Sequence, residues 1–131
     1  MDEARIARNQ VKDIAVVGAG PAGLSAAIAA KQIGLDCTVF ERGAVVNSIL
    51  HFPVNMVFFT TPELLELGGL PFVTPYEKPT RDEALRYYRR VVDAYELDVQ
   101  LGWDVRSITR ESGGGGEDCL AIETYEPQIG T

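Results

Sequence analysis

The hydrophobic pattern changes period twice in the first third of the chain. Ile14, Ala15, Val16 and Val17 run together without alternation between Asp13 and Gly18. An unbroken apolar run this short predicts a central parallel strand, buried on both faces. From Pro21 to Ile33 the spacing becomes helical, with Leu24, Ala27 and Ile28 forming a small apolar face that ends at Lys31. Alanine-rich composition favours the helix. Pro21 falls in its first turn, where the missing N–H costs nothing, and Gly34 is a good stop. Asp36 to Glu41 (DCTVFE) predicts a second strand.

Between Arg42 and Pro79 the period is lost. This stretch holds Pro53, Pro62, Pro71, Pro75 and Pro79, five of the chain's 7 prolines, plus Gly68 and Gly69. It predicts a long connection with a short helix near Pro62 to Leu67. Its apolar residues, Ile49, Leu50, Phe52, Val57, Phe58, Phe59 and Phe72, predict that it packs against something, as long connections in compact domains usually have a function. Thr80 to Tyr95 predicts a second helix. Thr80 is its N-cap, Glu83 completes a capping box, and Leu85, Tyr88, Val92 and Tyr95 recur at helical spacing. Leu97 to Leu101 predicts a third strand. Trp103 to Arg110 and Asp118 to Tyr125 alternate as two half-exposed strands, joined by a hairpin turn at Gly113 to Gly116. There is no internal repeat.

Composition narrows the class. A chain of 131 residues, 46% hydrophobic and 24% charged, suits one packed domain. A formal net charge of −7 excludes the basic face that nucleic acid or an anionic membrane would require. Met1 to Lys12 lacks the apolar centre of a signal peptide. No apolar run approaches the roughly 20 residues of a membrane helix; the longest, Leu24 to Ala30, is short and contains Ser25. A cytoplasmic protein is expected. Cys37 and Cys119 form no CxxC, which excludes a redox dithiol motif and a structural zinc site. A disulfide between them is disfavoured in the cytoplasm.

The turn between the first strand and helix carries the chemistry. Gly18-Ala19-Gly20-Pro21-Ala22-Gly23 fits G-x-G-x-x-G, with a strand before it and a helix after it. Glu41 closes the next strand at about the spacing, roughly 20 residues, that dinucleotide sites use for their ribose carboxylate. Gly18 turns the chain out of the strand. Gly20 has no Cβ to keep a pyrophosphate away, and Gly23 lets the helix pack on the strand. The helix N-terminus offers unpaired N–H groups and partial positive charge. The plainer alternative is a tight turn with a solvated Glu41. A phosphate-binding P-loop is excluded because no Gly-Lys-Ser/Thr follows. The glycine unit by itself does not separate FAD from NAD, but Glu41 would repel the 2′-phosphate of NADP. The expected fold is α/β: a Rossmann-like FAD-binding βαβ unit with a parallel sheet and an appended antiparallel hairpin. Residues 1–12 read as an N-terminal extension and 13–131 as a partial, truncated domain, since Glu126 to Thr131 close no further element.

Two further stretches carry a resemblance. Asn47-Ser48-Ile49-Leu50-His51-Phe52-Pro53, Phe58-Phe59-Thr60-Thr61-Pro62-Glu63, Leu67-Gly68 and Pro71-Phe72 look like one family. Lys78-Pro79-Thr80-Arg81 and Leu85-Arg86-Tyr87-Tyr88-Arg89 fit it as well. Over about residues 13 to 110 the chain resembles the bacillithiol-disulfide-reductase-like branch of thioredoxin-reductase-related flavoproteins. The resemblance implies FAD as cofactor, NADPH as reductant, and a low-molecular-weight or protein disulfide as acceptor. Hydride would pass from NADPH to the flavin and on to the disulfide. It also implies that Asn47, Ser48, Thr60 and Thr61 line the flavin ring or ribityl chain, and that Val105 offers backbone groups to the adenine. Gly18, Gly20, Pro21, Ala22, Gly23, Glu41 and Arg42 complete the expected cofactor-binding set. Loop capping is the plainer role for the Asn, Ser and Thr residues.

Two departures from the family pattern matter. Relatives often carry a cysteine at the position of Ala22, which has no thiol, so that route of thiol–disulfide exchange is missing. The second glycine motif, which would take NADPH, and the C-terminal flavin-capping segment are also missing, so NADPH is expected only in a full-length parent. The catalytic residues are not identified. A flavin-monooxygenase-like fragment and a non-catalytic FAD- or partner-binding module are the competing readings, and homo-oligomerisation stays open. His51, the lone histidine, is a proton donor or a packed loop residue. Cys37 reads as a small core residue, and Cys119 has no activator. Arg81, Arg86, Arg89 and Arg90 read as solvated partners of Asp82, Glu83 and Asp93. Tyr87 and Tyr88 read as packing residues.

Overall fold

The computed structural model describes residues 11–112 and 117–125. The hairpin turn at Gly113 to Gly116, most of the N-terminal extension and the last residues lie outside the described ones. The elements are β1 (Ile14–Val17), α1 (Pro21–Gln32), β2 (Cys37–Glu41), α2 (Asn47–Leu50), a 3-10 turn (Pro62–Leu64), α3 (Arg81–Ala94), β3 (Val99–Leu101), β4 (Asp104–Ser112) and β5 (Asp118–Tyr125). The α/β class holds: β1, β2 and β3 form a parallel sheet in that order, and β4 pairs antiparallel with β5.

The order of the sheet corrects one expectation. β2, not β1, is the central strand, with Val39 facing Val16 on one side and Val99 on the other. Among the described residues β1 pairs along one edge only and is covered on one face only: its residues alternate between half-buried and exposed, and Val17 is 55% exposed. A continuous apolar run signals burial on two faces, but neighbours decide whether both faces are covered.

The core gathers Leu24, Ala27 and Ile28 from α1, Val39 from β2, and Ala84, Leu85, Tyr87, Tyr88 and Val91 from α3. The irregular connection joins it: Val45, Val46, Ile49 and Phe72 are buried, and Leu50, Phe52, Phe58, Leu65, Leu67 and Leu70 pack against them. Phe59 and Val57 do not follow this expectation; Phe59 is 88% exposed and Val57 is also open to solvent. The two tyrosines of α3 pin the connection by their hydroxyls. Tyr87 donates to the Leu70 carbonyl (2.8 Å), and Tyr88 donates to the Leu65 carbonyl (2.9 Å). Burial pushes the Tyr88 phenol up to about 12 and raises that of Tyr87, so both stay neutral packing groups. The predicted short helix near Pro62 is a single 3-10 turn, while α2, a helix of one turn, had no periodic signal.

Candidate functional site

In open α/β sheets the ligand crevice lies beyond the C-terminal ends of the strands. Three stretches far apart in sequence meet there. The glycine turn leaves β1, Glu41 and Arg42 close β2, and Trp103 and Val105 follow β3. Backbone bonds fix the junction: Gly18 N–H donates to the Phe40 carbonyl (2.8 Å), and Trp103 N–H donates to the Glu41 carbonyl (3.0 Å).

The three glycines have separate roles. Gly18 sits at φ +100°, a conformation that side chains resist. A Cβ on Gly23 would lie 2.0 Å from the Gly18 carbonyl oxygen and 3.2 Å from Val16, so this position exists for helix–strand packing. A Cβ on Gly20 would meet nothing within 4 Å. Nothing within the fold requires glycine at position 20, and the open space in front of it is what an approaching phosphate needs.

Gly20 is also the N-cap of α1, and no side chain caps that helix or places an acid in its first turn. The first intrahelical bond is Leu24 N–H to the Gly20 carbonyl (2.9 Å). The amides of Ala22 and Gly23 therefore have no carbonyl to pair with, and Pro21 has no N–H at all. Pro21 and Ala22 are exposed, so this end of the helix is uncovered. Among the described residues no cluster of His, Cys, Asp and Glu suits a metal ion, and no helix is long and apolar enough to cross a membrane.

Glu41 is held by backbone amides. One carboxylate oxygen accepts from Ala19 N–H (3.3 Å) and the other from Gly43 N–H (2.9 Å). A carboxylate has about four acceptor sites, so capacity for two further donors remains. Arg42 is exposed beside it. Asn47 turns its side-chain oxygen toward its own loop, accepting from Ala44 N–H (3.2 Å), while Ser48 is exposed. Val105 lies at the start of β4, where a register shift between Val105 and Ser107 interrupts the ladder with β5.

Val46 joins α2 to the glycine turn. Its N–H donates to the Ala19 carbonyl (2.8 Å) while its backbone is left-handed at φ +47°. A β-branched residue in that region costs about 1–3 kcal/mol and persists only where its surroundings enforce it. Here the enforcement is burial in the core together with the bond to Ala19. A sequence reader expects Gly or Asn at such a position, so Val46 had no signal.

Thr60 belongs to a second tie and shares no hydrogen bond with the glycine turn. Its loop runs against the start of α3 through a bridge between Val57 and Thr80, and Phe58 N–H donates to the Pro79 carbonyl (2.9 Å). Arg81 links this tie to α2 by donating to the Leu50 carbonyl (2.6 Å). The Thr60 hydroxyl is buried without a partner. Thr61 is exposed at the N-cap of the 3-10 turn. The expectation that Arg81 is solvated does not hold: its guanidinium is largely covered, although it does pair with Asp82 (2.8 Å).

The remaining candidates stand apart. His51 is exposed, not packed, and its Nδ1 donates to the Asn47 carbonyl at the end of α2 (2.8 Å). Cys37 is half-buried at the opposite end of β2, where burial and then the carboxylates of Asp98 and Asp36 push its thiol up. That keeps it protonated and unreactive. Cys119 is exposed on β5 and free.

The sequence between residues 15 and 118 matches the family model described as pyridine nucleotide-disulphide oxidoreductase. The chain belongs to this family. It is a family of flavin-dependent disulfide oxidoreductases. Within it, the chain is 53% identical over 77 residues to the bacilliredoxin reductase Bdr of Bacillus subtilis, covering 59% of this chain and 24% of that one. The solved bacillithiol disulfide reductase Bdr (YpdA) from Staphylococcus aureus superposes with a TM-score of 0.80 at 35% identity, over 88% of this chain and 34% of that one. The resemblance carried by the Asn47–Pro53 and Phe58–Glu63 stretches therefore holds. A flavin-containing monooxygenase from Stenotrophomonas maltophilia shares the fold, with a TM-score of 0.69 at 22% identity over 83% of this chain and 36% of that one. The chain thus spans well under half the length of each relative.

Proposed function

We propose that this chain is the FAD-binding part of an NAD(P)H-dependent disulfide oxidoreductase. The observation that carries the proposal is the uncapped N-terminus of α1, opening through Gly20 onto the strand ends where Glu41 stands. In this reading Gly18, Gly20, Pro21, Ala22 and Gly23 receive the pyrophosphate, and the free amides of Ala22 and Gly23 donate to it. Glu41 accepts from ribose hydroxyls with its remaining lone pairs, beside Arg42. Val105 meets the adenine through its backbone. Asn47, Ser48 and Thr60 face the ribityl chain and ring, Thr60 through its backbone, since its hydroxyl is covered by the protein itself.

Bound there, the flavin would supply two-electron exchange between a nicotinamide cofactor and a disulfide. The protein holds and orients it. The reductant is NADPH, bound outside this segment, and the acceptor is a small disulfide of the kind named for the Bdr relatives. Ala22 contributes no thiol to that exchange. Residues 13–131 are a partial flavin domain of a cytoplasmic protein, preceded by a short extension.

Calorimetry and retained flavin absorbance test the cofactor assignment. FAD and ADP bind, while FMN, which lacks the adenosine half, does not. A colourless preparation that takes up neither FAD nor ADP overturns the proposal. The product of the complete reading frame tests the reaction. NADPH oxidation that requires a disulfide supports the assignment; oxidation that requires an organic substrate and oxygen replaces it with a monooxygenase.

A further inference from the structure

The chain's one tryptophan, Trp103, follows the end of β3. Parallel pairing of β2 and β3 ends at Glu41 opposite Leu101. Gly102, at φ +78°, then turns the chain so that Trp103 N–H donates to the Glu41 carbonyl (3.0 Å). That bond sets the Trp103 backbone immediately beside Glu41, whose carboxylate accepts from Ala19 N–H of the glycine turn (3.3 Å). Trp103 is half-buried but not among the residues packed on the core, and among the described residues its Nε1–H has no hydrogen-bond partner. Indoles that serve packing usually join the core, and their N–H usually finds a partner once buried.

We infer that Trp103 is a stacking platform for the purine base of the bound dinucleotide. The inference rests on the proposed dinucleotide site and adds a specificity-determining residue to it. Glu41 fixes the ribose; the base on that ribose projects from the same strand end, where Trp103 is held by its backbone bond to Glu41. Base-on-aromatic stacking needs no hydrogen bonds and works through the π-face alone. It rewards overlap area, so the platform selects a purine over a pyrimidine. The register shift after Val105 frees backbone groups to read the edge of the same base.

The lone tryptophan reports on itself. ADP is the probe, because a flavin would quench indole emission by energy transfer from any position. Binding is measured by calorimetry, and Trp103 emission is followed in parallel with ADP and with UDP. The expected result is saturable quenching by ADP at the calorimetric Kd and at least tenfold weaker binding of UDP. Trp103→Leu weakens ADP at least tenfold, and Trp103→Phe recovers most of the loss. If ADP binds while the emission stays unchanged and Trp103→Leu binds equally well, the platform is overturned and the dinucleotide site stands. If calorimetry detects no ADP binding to the native chain, the dinucleotide site itself fails and takes the platform with it.

Discussion

α1 and α3 are helices of similar length that begin in opposite ways. α3 starts at Thr80, whose hydroxyl accepts from Glu83 N–H (3.3 Å) while the Glu83 carboxylate accepts from Thr80 N–H (3.1 Å). Asp82 and Glu83 add negative charge to its first turn. The amides of Thr80, Arg81 and Glu83 at that N-terminus are thus taken up by the chain itself, Arg81 N–H by the Met56 carbonyl (2.9 Å). α1 starts at Gly20 with no cap, no acid and a proline. A cap of the α3 kind contributes about 0.5–2 kcal/mol, which α1 forgoes. An end left bare at the C-terminal edge of a parallel sheet is open to an anion. Under the proposed function, the difference separates a helix start that serves folding from one that serves binding.

The largest expected break comes from Gly23→Val. Its Cβ would fall 2.0 Å from the Gly18 carbonyl, where backbone has no room to yield. Overpacking of this kind costs about 3 kcal/mol or more. Chemical denaturation should show that loss, and nucleotide binding should disappear with it. A Gly23→Val chain of native stability would mean that α1 does not pack on β1 as described.

Gly20→Asp makes α1 begin as α3 does. Nothing within 4 Å opposes the new side chain, and aspartate is a favoured N-cap. Stability should stay level or rise by a few tenths of a kcal/mol. The carboxylate would then take the amides and repel phosphate, so ADP and FAD affinity should fall at least about tenfold, or roughly 1.4 kcal/mol. Stability and binding moving in opposite directions is the signature of a helix end reserved for a ligand. Unchanged affinity by calorimetry would remove α1 from the site.

This contrast was partly legible in the sequence. The glycine spacing, Pro21, the Thr80–Glu83 box and Gly34 are local signals, and each governs the structure within a turn or two of itself. The elements they mark appear where expected. Position within the sheet is not local: Ile14 to Val17 reads as a central strand because composition cannot tell one covered edge from two. The same limit hid Val46, whose left-handed backbone is imposed by burial and by Ala19, and Arg81, whose guanidinium is tied to the end of α2 at Leu50, 31 residues away in sequence. Of the candidate site, the glycine turn and Glu41 were readable from spacing. The inferred platform, Trp103, was not, because only the strand order sets it beside Glu41.

Thr80→Ala sharpens the comparison from the other side. It should cost about 1 kcal/mol in a denaturation experiment and leave ADP affinity unchanged. The cap also carries a pH dependence. Burial pushes the Glu83 carboxyl up, but hydrogen bonds from Thr74 and Thr80 outweigh it and hold the group below its ordinary range. A carboxyl depressed in the folded state stabilises fully above its unfolded pKa, about 4.3, and that contribution fades as pH falls through the folded value. The stability difference between the native chain and Glu83→Gln should therefore be constant near neutral pH and shrink on acidification below about pH 4. A gap that widens in acid would reverse the assigned sign.

The smallest expected effect lies at the other ends of the same helices, where the two agree. α1 closes with Gly34 N–H donating to the Lys31 carbonyl (3.1 Å) and Leu35 N–H to the Ala30 carbonyl (2.9 Å). α3 closes in the same way, Glu96 N–H to Asp93 (3.2 Å) and Leu97 N–H to Val92 (3.0 Å). Both are Schellman motifs, and both need one left-handed residue. α1 supplies glycine at φ +79°, whereas α3 supplies Glu96 at φ +50°. Glu96 contributes its carbonyl to Lys31 Nζ (2.9 Å), a bond that any residue can make. Glu96→Gly should keep every one of these backbone bonds and relieve the strained conformation, raising stability by about 0.5–1 kcal/mol with no change in ADP affinity. A loss of stability on thermal or chemical denaturation would show that the Glu96 side chain holds α3 in a way its backbone does not.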